Sequence, residues 1–293
     1  MVNFFRRHPL LSFFLLAYIL SWLTWLPYVL SEDGLGILAL RLSSLYVAIG
    51  GFTGPFLAGF LMTAVVSGKK GVHSLLKRFV LWRVSIGWYL FAIVGVPAIA
   101  LLGVLALPGA LTALTQDALF SSLLTYLPAL IVTFLIAAGG EEPGWRGFAL
   151  PRLQERYGPL IGTLLLGLLW GGWHFPLVLT VGYGGGPNSS LFTEIGNSLL
   201  QILGVTFTAI VITWVFNNTK GSLLLAMLVH GALDATPLPP SVQQTLSQQY
   251  NQLLPPIIGM GLLAILIVIF TRGRLSYYRY THNLVDKERS SGP

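Results

Sequence analysis

The feature that most constrains this chain is a succession of long apolar runs separated by short polar connections. A helix needs about 17 or more mostly apolar residues to cross the hydrocarbon core of a bilayer. Read at that length, the runs fall at residues 10–30, 37–66, 86–107, 119–138, 160–181, 195–216, 222–238 and 253–270. Backbone N–H and C=O groups must be paired internally in lipid, and these runs are too long and continuous for alternating barrel strands, so helices are expected. Only 9% of residues are charged and 54% are hydrophobic, whereas a soluble domain carries roughly a quarter charged residues. The expectation is an all-α polytopic membrane protein of about eight transmembrane helices, with residues 1–293 as one integral membrane domain.

The basic residues test that count. If each run crosses once, every Lys and Arg except Arg41 falls on one face: Arg6 and Arg7, the group from Lys69 to Arg83, Arg146, Arg152, Arg156, Lys220, and the tail from Arg272 to Arg289. The positive-inside rule makes that face, and both termini, cytoplasmic. The formal charge of +7 is explained the same way and does not call for nucleic acid as a partner. No small-residue cleavage site follows the first run before Ser31-Glu32-Asp33-Gly34, so an uncleaved helix is expected rather than a signal peptide. Residues 71–84 form a basic amphipathic stretch expected to lie on the cytoplasmic surface against anionic membrane lipids. Residues 182–190 and 241–252 read as polar outward loops, and the Gly184-Gly185-Gly186 run lacks the Lys-Ser/Thr of a phosphate loop. Cys is absent, which removes disulfides, thiolate nucleophiles and Cys-bound metals. A prokaryotic plasma membrane suits so compact a chain.

Ionisable residues inside apolar runs are expensive and by default mark function. Glu141-Glu142-Pro143-Gly144-Trp145-Arg146 closes the fourth run. Glu142 and Arg146 are i, i+4 neighbours and are expected to pair, leaving Glu141 to face the interior. The alternative puts both glutamates in the headgroup region, with the span ending at Ala138. His174 lies among aromatic residues in the fifth run, from Trp170 to Pro176, where it reads as a site residue or an interfacial one. A turn near Tyr157 would place Glu141 and His174 level on adjacent antiparallel helices, each roughly 24 to 26 Å from that turn. His230 and Asp234 form another i, i+4 pair in the seventh run, suited to orienting the imidazole, to holding a metal or simply to satisfying each other. His8, His73 and His282 lie outside the runs among charged residues.

Glu141-Glu142-x-x-x-Arg146, Trp170-x-x-x-His174 and His230-x-x-x-Asp234, in that order, resemble the CAAX-protease and bacteriocin-processing family of intramembrane endopeptidases, over about residues 120–236. That family usually has Phe where Trp170 stands, and its last position varies between Asn and Asp, here Asp234. The resemblance implies hydrolysis of a peptide bond in a membrane-embedded or lipid-anchored peptide. Glu141 would act as general base on a water that His174 positions, and His230 with Asp234 would stabilise the oxyanion. Glu142 and Arg146 would support the site. A second version makes the set a zinc site held by His174, His230 and a carboxylate such as Asp234. Two other classes use the same residues: a non-catalytic intramembrane scaffold that binds a peptide, and a proton-coupled transporter, against which no paired halves are found.

Overall fold

The computed structural model describes residues 2–109, 116–236, 238, 242, 244, 250–251 and 253–282. Most of the outward loop expected at 241–252 and the tail cations Lys287 and Arg289 lie outside the described residues. In chain order the apolar helices are α1 Pro9–Leu30, α2 Leu45–Phe79, α3 Ile86–Leu105, α4 Ser122–Tyr157, α5 Pro159–Trp173, α6 Leu191–Asn218, α7 Leu223–Asp234 and α8 Leu254–Thr271. The protein is thus an all-α polytopic membrane protein, with no strand among the described residues. Six of these helices are long and apolar enough to cross a membrane, and α5 and α7 are the shorter two.

Four boundaries depart from the apolar runs. Residues 37–44 are apolar but not helical, so α2 begins at Leu45. It then continues to Phe79 through a break at Gly68, whose φ of 61° and ψ of −160° suit only glycine; the basic stretch expected as a separate surface segment is largely the end of α2. The fourth run does not stop at Ala138. It continues to Tyr157 through two π-helical stretches, Phe134–Ala138 and Pro143–Ala149, the second opening on Pro143, which has no N–H to give an α-helical ladder. Helix α5 ends at Trp173, where His174 separates it from a short helical turn, Phe175–Val178, and α7 ends at Asp234, although their runs extend to 181 and 238. At 1.5 Å per residue, the 12 residues of α7 cover about 18 Å, less than a hydrocarbon core about 30 Å thick.

Close helix contacts hold the site in place. Gly167 and Gly171 press α5 onto α6: a Cβ on either would stand 2.7 Å from the Cα of Thr206 or Ile202. Small residues four apart let backbones approach in this way. Beside them Phe13, Trp145, Trp173 and Trp25 stack in sequence with ring centroids 5.4, 5.6 and 4.5 Å apart, binding α1, α4 and α5 into one fully buried aromatic layer.

The two ends of the bundle differ in charge. At one end Arg6 Nε donates to Val65 O at 2.9 Å, Arg78 Nη2 to Tyr280 Oη at 3.0 Å, and Asn217 Nδ2 to Gln154 Oε1 at 2.8 Å and Leu275 O at 2.9 Å. These bonds gather the N-terminus, the end of α2, the α4–α5 turn, the end of α6 and the segment after α8. At the other end Val181 N–H donates to Asp33 O at 2.7 Å, Asn197 Nδ2 to Gly184 O at 3.1 Å, and Asn251 Nδ2 to Asn197 Oδ1 at 2.6 Å. Arg41, the basic residue that stood apart, is at this second end, paired with Glu32 at 2.7 Å.

Candidate active site

Between its two π-helical stretches α4 makes one α-helical turn, Gly139–Glu142, and both carboxylates are buried in the bundle, Glu141 at 8% exposure and Glu142 at 0%. The headgroup placement does not describe them. Glu142 Oε1 accepts from Arg146 Nη1 at 2.7 Å, as the i, i+4 spacing predicts, and both side chains are wholly inaccessible. A buried ion pair of this kind survives only with good geometry, and breaking it from one side costs about 3–5 kcal/mol. Arg146 also lies over the Trp170 ring, 4.1 Å from its centroid.

Glu141 points elsewhere. Its Oε2 accepts from Trp170 Nε1 at 2.7 Å and from Trp145 Nε1 at 3.3 Å, while its side chain forms part of a cavity of about 540 Å³. His174, the residue that caps α5, lines the same cavity, and its Nδ1 meets Trp170 O at 2.9 Å. A carbonyl only accepts, so Nδ1 carries the proton and Nε2 is left with a lone pair.

His230 on α7 completes the group in a way its local spacing only half reveals. Nε2 faces Asp234 Oδ2 at 3.3 Å, as the i, i+4 pattern suggests, but Nδ1 faces Glu142 Oε1 at 2.8 Å. Glu142 is therefore shared between Arg146 and His230. With a carboxylate oxygen at each nitrogen, both hydrogen bonds form together only when both nitrogens carry protons. Asp234 is the most open member, its side chain 40% exposed where it borders the cavity.

The structure thus brings Glu141, His174, His230 and Asp234 around one cavity, with Glu142 and Arg146 behind it. Sequence reasoning missed the donors. Trp170 appeared only as a spacing aromatic and Trp145 only as part of the stretch from Glu141 to Arg146, yet their indoles hold Glu141. Tyr183 also lines the cavity, its ring 6.3 Å from that of His174. An indole four residues from a carboxylate inside an apolar run is a signal that could have pointed to Trp145, whereas Trp170 is 29 residues from Glu141 and carried none.

The donor set fits a metal poorly. No three His, Asp or Glu side chains converge closely enough to hold an ion among the described residues, and both nitrogens of His230 are already engaged by carboxylates. A zinc site needs three free ligands and an open position.

The chain matches the family model described as Type II CAAX prenyl endopeptidase Rce1-like over residues 122–236, the stretch that carries all the residues above. It is 28% identical over 242 residues to CAAX prenyl protease 2 of Methanococcus maripaludis, covering 78% of this chain and 84% of that relative. No solved structure matches it. The three ordered motifs all fall within the stretch that the family model matches, so over that stretch the chain is similar to the Type II CAAX prenyl endopeptidases.

Proposed function

We propose that this chain hydrolyses a peptide bond of a membrane-associated peptide, with Glu141 as general base and His174 positioning the water. The observation that carries this reading is the pinning of Glu141. One carboxylate oxygen is fixed by two indole N–H groups, and the other is left for a water in the cavity, where His174 Nε2 offers a second acceptor. Glu141 takes a proton from water as the hydroxide oxygen attacks the carbonyl carbon, and returns it to the leaving nitrogen as the C–N bond breaks. The products are a carboxylate and an amine.

Negative charge developing on the carbonyl oxygen needs a donor, and a carboxylate such as that of Asp234 accepts rather than donates. His230 supplies it. Its 2.8 Å bond to Glu142 is the tighter one, and its 3.3 Å contact with Asp234 is longer than the 2.7–2.9 Å of a strong charge-assisted bond, so Nε2–H is the donor free to turn to the oxyanion. Asp234 then acts by orienting the imidazole.

The chemistry is proposed without a metal, in line with the donor set. The apolar walls, among them Val47, Ile136, Leu200, Val205 and Ile257, suit an apolar or lipid-anchored peptide, and the archaeal relative's name makes a prenylated C-terminal peptide one such class. The setting proposed is a prokaryotic plasma membrane with both termini cytoplasmic.

Purified wild-type protein, Glu141→Gln and His174→Ala are to be compared on a peptide library, with thermal unfolding as the control for folding. Both variants are expected to lose about two to four orders of magnitude in rate. Full activity in Glu141→Gln removes the base assignment, and a wild type that cleaves nothing removes the endopeptidase reading. Prolonged chelation is expected to leave the wild-type rate unchanged; loss of activity restored by zinc would overturn the metal-free version.

A further inference from the structure

The way α5 ends leaves one carbonyl without a backbone partner. In a continuing helix the carbonyl of Trp173 would accept from the N–H three or four residues on. Three on is Pro176, which has no N–H, and four on is Leu177, whose N–H goes to His174 O at 2.8 Å. Trp22 of α1 supplies the donor instead: its indole Nε1–H bonds Trp173 O at 2.9 Å. One turn earlier on α1, Tyr18 Oη donates to Leu169 O, and the Tyr18 and Trp22 rings lie 5.3 Å apart, as i, i+4 neighbours on one helix face do. Trp25, three residues after Trp22, packs on Trp173 with centroids 4.5 Å apart. Gly172 allows the approach, since a Cβ there would stand 3.3 Å from Tyr18 Oη. The bilayer core holds no water to solvate an orphaned carbonyl, so a donor from the neighbouring helix takes that part.

This bond reaches the site because the Trp173 carbonyl and the His174 N–H belong to one planar peptide. Trp22 holds its oxygen, and its N–H bonds Gly171 O at 3.2 Å, so the plane is fixed on both edges. Because the His174 N–H turns to Gly171 O, the Trp170 carbonyl is left to the imidazole, whose Nδ1 meets it at 2.9 Å. With the peptide and Nδ1 both held, the direction of Nε2 is set. We propose that Trp22 is a positioning residue for His174, its N–H holding the Trp173–His174 peptide so that Nε2 meets the water beside Glu141. The role of that water rests on the endopeptidase reading; the holding of the imidazole does not. Trp22 lies outside residues 122–236, which the family model matches, on a helix that carries none of the three motifs. The site therefore draws its geometry from α1 as well as from the helices that supply its reacting groups.

Trp22→Phe keeps an aromatic ring and removes the N–H. In the purified full chain it is expected to lower kcat about ten- to a hundredfold while KM and the unfolding midpoint stay at the wild-type values, the pattern of lost orientation without lost binding. The imidazole is followed directly by NMR of protein carrying isotope-labelled histidine, with the His174 signals identified as those missing from His174→Ala. In Trp22→Phe the His174 signals are expected to shift and broaden while those of His230 stay in place. Unchanged His174 signals, or a wild-type kcat, overturn the proposal. So does a lowered unfolding midpoint with KM rising as kcat falls, which would make Trp22 a packing residue only. A wild type that cleaves no peptide removes the endopeptidase reading and leaves the NMR comparison standing, so the two fail separately.

Discussion

Trp170 bonds to or touches four of the other polar side chains that define the site. Its N–H holds Glu141, its carbonyl fixes the tautomer of His174, its face receives Arg146, and its ring lies 5.2 Å from that of His230. A phenylalanine, usual at this position in the family, keeps the ring and the carbonyl but has no N–H. Trp170→Phe is therefore expected to fold normally and to lose one hydrogen bond to a charged group, worth about 1.5–3 kcal/mol. If that bond is kept through the transition state, kcat falls by roughly one to two orders of magnitude while the unfolding midpoint stays close to wild type. A variant with wild-type kcat would mean that Trp145 alone positions the base. The i, i+4 pairs Glu142–Arg146 and His230–Asp234 were legible in the sequence because both partners ride one helix. The bonds from Trp170 to Glu141 and from His230 to Glu142 were not, since they depend on how α4, α5 and α7 pack, which no local spacing encodes.

At the scale of elements, the apolar runs located all eight helices but set several ends wrongly. Hydropathy records which residues avoid water, and residues 37–44 are not helical, while those after Trp173 form only short pieces, the turn Phe175–Val178 and the 3-10 turn Val181–Tyr183. The early ends of α5 and α7 are what set His174 and Asp234 at the cavity. The position of His174 in turn depends on the contact of α5 with α6. Gly171→Val would place a branched side chain against Ile202, where even a Cβ has no room. Overpacking of this kind costs about 1–3 kcal/mol, and here it also pushes His174 outward. The expected outcome is a lower unfolding midpoint with a larger proportional loss of peptide cleavage, whereas Gly196→Ala, at a glycine with open space around it, leaves both unchanged. Equal loss of stability and activity would show that α5 does not position the imidazole.

For the whole molecule, the placement of Lys and Arg predicts an orientation with both termini cytoplasmic. Fusion of alkaline phosphatase to the C-terminus is expected to give no activity, and fusion of green fluorescent protein a bright signal, because both would remain in the cytoplasm. The reverse pattern would invert the predicted orientation. The pairing of Glu142 with two cations also has a meaning in time. Its bond to His230 joins residues 88 apart, whereas its bond to Arg146 spans a single turn. As the chain is made, α4 must enter the bilayer before α7 exists. A lone carboxylate would be costly in lipid, so the nearby guanidinium accompanies it through insertion. His230 arrives later and converts a carboxylate that was merely tolerated into the anchor of the finished site.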